Sequence, residues 1–201
     1  MLKIKQLGLV DYAQTWQQMR DFTDTRDSFT PDEIWVLEHP PVFTQGQAGK
    51  AEHILNAGEI PVIQTDRGGQ VTYHGPGQLV AYLLFDLRRL NMGIRTFVTT
   101  IEQAIINVLA QYAIKAHGDR NAPGVYVEGK GKICAIGLRV RHGCTYHGIA
   151  FNINMDLEPY SRINPCGFTQ LAVTQTADLG GPTTVREAGE QFVLQFQKLI
   201  P

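Results

Sequence analysis

The stretch Arg67-Gly68-Gly69-Gln70-Val71-Thr72-Tyr73-His74-Gly75-Pro76-Gly77-Gln78 runs directly into Leu79-Val80-Ala81-Tyr82-Leu83-Leu84-Phe85. The second part is an unbroken apolar run of strand length and predicts a buried strand. The first part sets glycines among Arg67, Thr72, Tyr73, His74 and Gln78, all of which hydrogen-bond. Glycine lets backbone approach a ligand closely and take up positive φ. A polar, glycine-rich loop entering a core strand builds a binding wall on a rigid scaffold. The bland alternative is an ordinary Gly/Pro turn. The stretch fits neither phosphate-binding fingerprint, having no GxxxxGK[ST] and no GxGxxG that opens a helix.

Outward from this stretch, the N-terminus from Met1 to Leu7 alternates like a strand, and Asp11 is placed to cap a helix carrying Tyr12, Trp16, Met19 and Phe22 on one face. Ile34 to Leu37 reads as a buried strand stopped at His39-Pro40-Pro41. Gln45 to Ala57 reads as a loop over the site, and Ile60 to Ile63 as a short strand. Ile94, Phe97, Val98, Ile101, Ile105, Val108, Leu109 and Tyr112 form a helical stripe, a core face rather than a cofactor box. Val125 to Val127 opens a run of strands, continued by Lys132 to Arg141 and by Thr145 to Asp156 after the turn at His142-Gly143. The last helix starts at Thr184 with Glu187 as its capping-box partner, and Val185, Ala188, Phe192, Phe196 and Leu199 as its apolar face. Strands and helices without a regular Rossmann period predict an α/β or α+β fold, a mixed sheet flanked by helices.

The chain has 201 residues, 43% hydrophobic and 18% charged, with formal net charge −1. That suits one domain over residues 1–201 with a substantial core. No dense basic run points to nucleic acid. No apolar stretch approaches the ~20 residues of a membrane span, and the N-terminus lacks a signal-peptide core, so a cytoplasmic location is expected. The three cysteines are then expected to be reduced. With scattered histidines and no CxxC or HExxH, no metal site is expected.

Cys166 stands between Pro165 and Gly167, a turn that tends to place a side chain at the surface of a site. Cys134 lies in the apolar run Ile133-Cys134-Ala135-Ile136 and reads as a small buried hydrophobe; Cys144 follows a glycine turn without an evident partner. An ordinary thiol, pKa ~8.5, is only a few per cent thiolate at neutral pH, and a nearby cation raises that fraction. His74, His147 or Lys132 meets this need. Lys132 stands out because it begins a largely buried strand, where an unpaired ammonium is costly. Lys130, in the preceding turn, reads as a solvated charge. A side chain at Gly69 is expected to intrude on the path of a ligand.

Four co-ordered blocks resemble the lipoate-protein octanoyltransferase family. They are Arg67 to Leu79, Gly131-Lys132-Ile133-Cys134-Ala135-Ile136-Gly137, His147-Gly148-Ile149-Ala150-Phe151-Asn152 and Asn164-Pro165-Cys166-Gly167. The resemblance spans most of the chain from about Pro40 to Gly167. It implies a biotin/lipoate protein ligase catalytic-domain-like fold with a mixed, largely antiparallel sheet. It further implies transfer of an octanoyl group from octanoyl-acyl carrier protein, carried on phosphopantetheine, to a lysine ε-amine. The acceptors would be lipoyl domains of 2-oxoacid dehydrogenase complexes and the glycine cleavage H protein; neither nucleic acid nor membrane is implied. By position, Cys166 maps to the acyl-thioester nucleophile and Lys132 to the residue that lowers its pKa. Arg67, Gly68, Gly69, Gln70, Val71, Thr72, Tyr73 and His74 map to one substrate-binding wall, and Ala135, Ile136, Gly137, Gly148, Ile149 and Ala150 to others. Ala135 replaces a serine common in the family. No ATP and no metal are implied, since thioester exchange is nearly balanced and amide formation from a thioester is downhill.

Of three rival readings, two fit less of the sequence and the third is poorly separated by it. An ATP-dependent lipoate or biotin ligase has no need of Cys166. A non-catalytic binder of acyl carrier protein or a lipoyl domain leaves the pairing of Lys132 with Cys166 unexplained. A transferase between lipoyl domains uses the same thioester chemistry with a different donor.

Overall fold

The structure is a computed structural model that describes residues 2–164 and 172–201. The alternating N-terminus forms strand β1 (Leu2–Leu9), which pairs in parallel with β2 (Asp32–Glu38) through helix α1 (Tyr12–Thr25). Asp11 caps α1 as expected, its carboxylate accepting from the Gln14 N–H at 2.9 Å and satisfying one orphan donor of the first turn. There follow β3 (Val42–Gln45), β4 (Val62–Gln64), β5 (Val71–His74), β6 (Gln78–Leu84) and α2 (Ile94–Ala110). The chain continues with β7 (Ala116–Gly118), β8 (Gly124–Val127), β9 (Gly131–Arg141), β10 (Cys144–Asn152) and α3 (Val185–Gln197).

Among the described residues, seven strands make one sheet in the order β1-β2-β6-β10-β9-β8-β7 and three make a smaller one, β4-β3-β5. Apart from the parallel pairs β1–β2 and β3–β4, the neighbours run antiparallel, so the sheets are mixed and largely antiparallel. The apolar run of β6 is explained by burial of both its faces. Leu79, Ala81 and Leu83 join Phe97 and Ile101 of α2 and Phe192 and Phe196 of α3 in one core. Val80, Tyr82 and Leu84 join Met19 of α1, Trp35 and Tyr146 in a second. Phe43, Val71, Tyr73 and Tyr160 form a third core beside the small sheet.

Several local expectations are corrected. Gln45 ends a buried strand, β3, and the segment after it holds a 3-10 turn at Ala51–His53. The glycine-rich stretch is a strand in its middle: β5 pairs with β3, burying Val71 and Tyr73. β10 stops at Asn152 rather than Asp156, where the Thr176 N–H takes the Asn152 carbonyl. The capping box of α3 is half formed: Thr184 Oγ1 accepts from the Glu187 N–H at 3.3 Å, but the Glu187 carboxylate accepts from the Tyr112 hydroxyl instead of reaching back. Leu199 lies beyond α3 and is exposed.

Candidate active site

The site begins as a gap in a sheet face. Directly paired residues of neighbouring strands share a face. In β10, Gly148 pairs with Tyr82 of β6 and Ala150 with Val80; on the other side they pair with Gly137 and Ala135 of β9. Four small residues therefore stand together on the α1 side of the sheet, beside the large side chains of the second core. A side chain at Gly148 has no space, because its Cβ would run into the Ala81 carbonyl oxygen. The patch forms the floor of a cleft holding about 760 Å3 of empty volume, its open mouth included.

The glycine-rich stretch is the wall above this floor. Gly68 N–H donates to the Leu138 carbonyl at 3.1 Å, tying the loop across β9. Arg67 is buried, and its guanidinium bonds both to the loop and to β3. Its Nη1 donates to the Gly68 carbonyl at 2.9 Å, and its Nη2 to the carbonyls of Thr44 at 2.5 Å and Gln70 at 2.7 Å. Gly69 adopts φ +82°, and a Cβ there would meet nothing closer than Arg67 Nη1 at 3.6 Å. The left-handed backbone by itself favours glycine at this point, and Gly69 lines the cleft.

A buried polar chain supports the wall. Arg67 Nε donates to Thr44 Oγ1 at 3.0 Å, and Thr44 Oγ1 lies 3.3 Å from His74 Nε2. His74 Nδ1 donates to Gln78 Oε1 at 2.8 Å, and the Gln78 amide donates to Asn152, Tyr160 and the Tyr73 carbonyl. Burial, with the neighbouring positive charge of Arg67 adding to it, holds His74 well below the usual histidine range. His74 is a neutral post of the wall with both nitrogens engaged.

Lys132, Arg67 to Thr72, His74, Ala135 to Gly137 and Gly148 to Ala150 all line the cleft. Tyr73 does not; its ring packs 5.5 Å from Phe43 and 5.7 Å from Tyr160. Lys132 is buried at 5% exposure, its Nζ 5.0 Å from the centre of the Tyr126 ring. Its N–H donates to the Ala172 carbonyl at 2.8 Å, and its carbonyl accepts from the Thr174 N–H at 3.0 Å. Cys134 is fully buried, and burial drives its thiol far above the ordinary range. Cys144 is buried as well and shifted upward by the same cause. Cys166 lies outside the described residues.

One part of the site was not foreseen. Asp66 Oδ1 accepts from Trp16 Nε1 at 2.8 Å and from His147 Nε2 at 2.9 Å, while Oδ2 accepts from the Tyr146 hydroxyl. Burial works to raise the Asp66 pKa, but these hydrogen bonds prevail and hold the carboxyl far below its usual range. His147 is 1% exposed, and burial lowers its pKa against the pull of Asp66. Tyr12 and Asn152 also line the cleft. Asp66 had no signal beyond standing next to Arg67. Among the described residues, no three His, Cys, Asp or Glu side chains gather as a metal site, and no helix is long and apolar enough to cross a membrane.

The family model of the lipoyl protein ligase A/B catalytic domain matches residues 11–197. The chain is 60% identical over 199 residues to an octanoyltransferase of Shewanella sp. (strain W3-18-1), covering 99% of this chain and 91% of the relative. It is similar in structure to the bi-partite lipoate protein ligase of Thermoplasma acidophilum, with TM-score 0.76 and 16% identity over 99% of this chain and 84% of that one. The biotin protein ligase of Aquifex aeolicus gives TM-score 0.60 at 13% identity, over 98% of this chain and 68% of that one. At such identities the structural likeness speaks for the fold alone.

Proposed function

Because this chain belongs to the octanoyltransferases of the lipoyl protein ligase A/B catalytic-domain family, enzymes of protein lipoylation, we propose that it moves octanoyl from acyl carrier protein to a lipoyl-domain lysine through a thioester on Cys166. In the first step the Cys166 thiolate attacks the carbonyl of the donor thioester. A new C–S bond forms, and the donor's phosphopantetheine sulfur leaves with the old bonding pair. In the second step the lysine ε-amine attacks the Cys166 thioester, an amide C–N bond forms, and Cys166 leaves as thiolate. The proton lost by the amine balances the one gained by the donor thiol. The first exchange is nearly level and the second downhill, so the sequence of steps needs no nucleotide.

What supports this reading above all is Lys132. It is a buried amine in a cleft floored by small residues, and Ala172 to Thr174, the described chain that follows Cys166, hydrogen-bonds along it. As a cation Lys132 favours the Cys166 thiolate; as a neutral amine it accepts the proton released by the attacking lysine. The apolar floor suits the acyl chain, whose roughly six methylenes are worth about 5 kcal/mol at ~0.8 each.

Intact-mass measurement after mixing with octanoyl-acyl carrier protein tests the proposal. The wild type should gain one octanoyl group, labile to hydroxylamine and passed on to an added lipoyl domain. Cys166→Ala should gain none, whereas Cys134→Ala and Cys144→Ala should load normally. An adduct that survives in Cys166→Ala would remove this cysteine from the mechanism. Transfer that depends on ATP would replace the mechanism with that of a ligase.

A further inference from the structure

The pairing of β9 with β10 gives the cleft a scale. His147 pairs with Leu138, six positions along β9 from Lys132, which is roughly 20 Å at ~3.3 Å per residue. An eight-carbon acyl chain has about as many bonds as three residues of extended backbone, or ~10 Å. Lys132 and His147 both line the cleft, and Ala135 and Gly137 of its floor lie between them along β9. At the His147 end Gly68 crosses β9, its N–H on the Leu138 carbonyl.

The ring at that end is held at evident cost. His147 has φ +58° within a strand, a left-handed conformation uncommon for any residue but glycine. Its Nε2 is fixed on Asp66, and its face is stacked on Tyr146 with centroids 5.0 Å apart. Its Nδ1 is buried with no hydrogen-bond partner among the described residues. A side chain kept in place against backbone strain and an unmet polar atom points to a function rather than to packing.

We propose that His147, clamped by Asp66, is the end stop of the acyl slot and sets its preference for chains of about eight carbons. This rests on the reading of the cleft as the acyl site. His147 is on this account a specificity-determining residue, distant from the reacting carbonyl, and Asp66 positions it.

The test is kcat/KM for transfer to a lipoyl domain from hexanoyl-, octanoyl-, decanoyl- and dodecanoyl-acyl carrier protein. His147→Gly suits the left-handed backbone and removes the stop. It should raise the decanoyl-to-octanoyl ratio about tenfold, the worth of burying two further methylenes. His147→Asn also tolerates positive φ and should shift the ratio in the same direction by less. Thermal unfolding of each variant shows that it is folded. An unchanged ratio in a folded His147→Gly, or an equal loss at every chain length, would overturn the end stop while leaving octanoyl transfer intact as a reading. A wild type that transferred no acyl group of any length would instead overturn the reading on which the end stop rests.

Discussion

His39 shows how a single residue couples this fold to pH. It is fully buried, its Nδ1 donating to the Val10 carbonyl and its Nε2 accepting from the Tyr82 hydroxyl, both at 2.7 Å. Burial, only partly offset by the Val10 carbonyl, lowers its pKa from 6.5 to about 4. Between those values the unfolded chain binds the proton that the folded one refuses, so stability rises with pH there and is lost as pH falls through the window. The shift is worth up to about 3 kcal/mol at ~1.36 per unit. Urea unfolding from pH 7 to 4 should show that loss in the wild type and a shallower slope in His39→Gln; parallel curves would show that His39 does not carry it. Residues of this kind are only partly legible in sequence. Lys132 could be picked out because a lysine at the head of an apolar strand needs a reason. The Asp66–His147 pair could not, since the residues are far apart in the chain and meet through the tertiary fold.

At the scale of elements, the long apolar or amphipathic segments could be read directly: α1, α2, α3, β2, β6 and the β9–β10 hairpin carry their own periodicity. The short strands β3, β5 and β7 could not. β5 is flanked by glycines that read as loop, and what makes it a strand is its pairing with β3. The floor shared by β9 and β10 was visible as glycines and alanines but not as a surface, because only cross-strand register brings Ala135 beside Ala150 and Gly137 beside Gly148. Filling that floor should block the acyl chain without unfolding the sheet. Ala135 is only half-buried, so Ala135→Leu should keep its unfolding temperature within a few degrees, as for substitutions outside the packed core. Octanoyl transfer should fall at least tenfold, the worth of about two displaced methylenes. Steady-state assay with octanoyl-acyl carrier protein decides this: wild-type kcat/KM in Ala135→Leu would mean that the acyl chain lies elsewhere.

Across the whole molecule the sheet divides labour between its faces. The cleft occupies the α1 side, and the opposite side is sealed by α2 and α3, where Phe85, Phe97 and Phe196 meet at centroid separations of 5.4 to 5.8 Å. Phe196→Ala should cost about 3–5 kcal/mol yet leave the octanoyl transfer rate of the remaining folded enzyme near wild type. Calorimetry and activity measured on the same sample separate the two, and a matching loss of specific activity would show that the faces are coupled. The strand order carries one more consequence. β6 is an interior strand, yet its partner β10, the central one, begins sixty-six residues after β6 begins. During synthesis, Leu79 to Phe85 therefore leaves the ribosome as a charge-free, proline-free apolar segment with one edge unpaired, the kind of segment that pairs with its like and aggregates. The nascent chain must wait for residues 144–152 before that edge is closed, so slowing translation between Phe85 and Asn152 should lower the soluble yield, as expression with rare codons placed in that interval would measure.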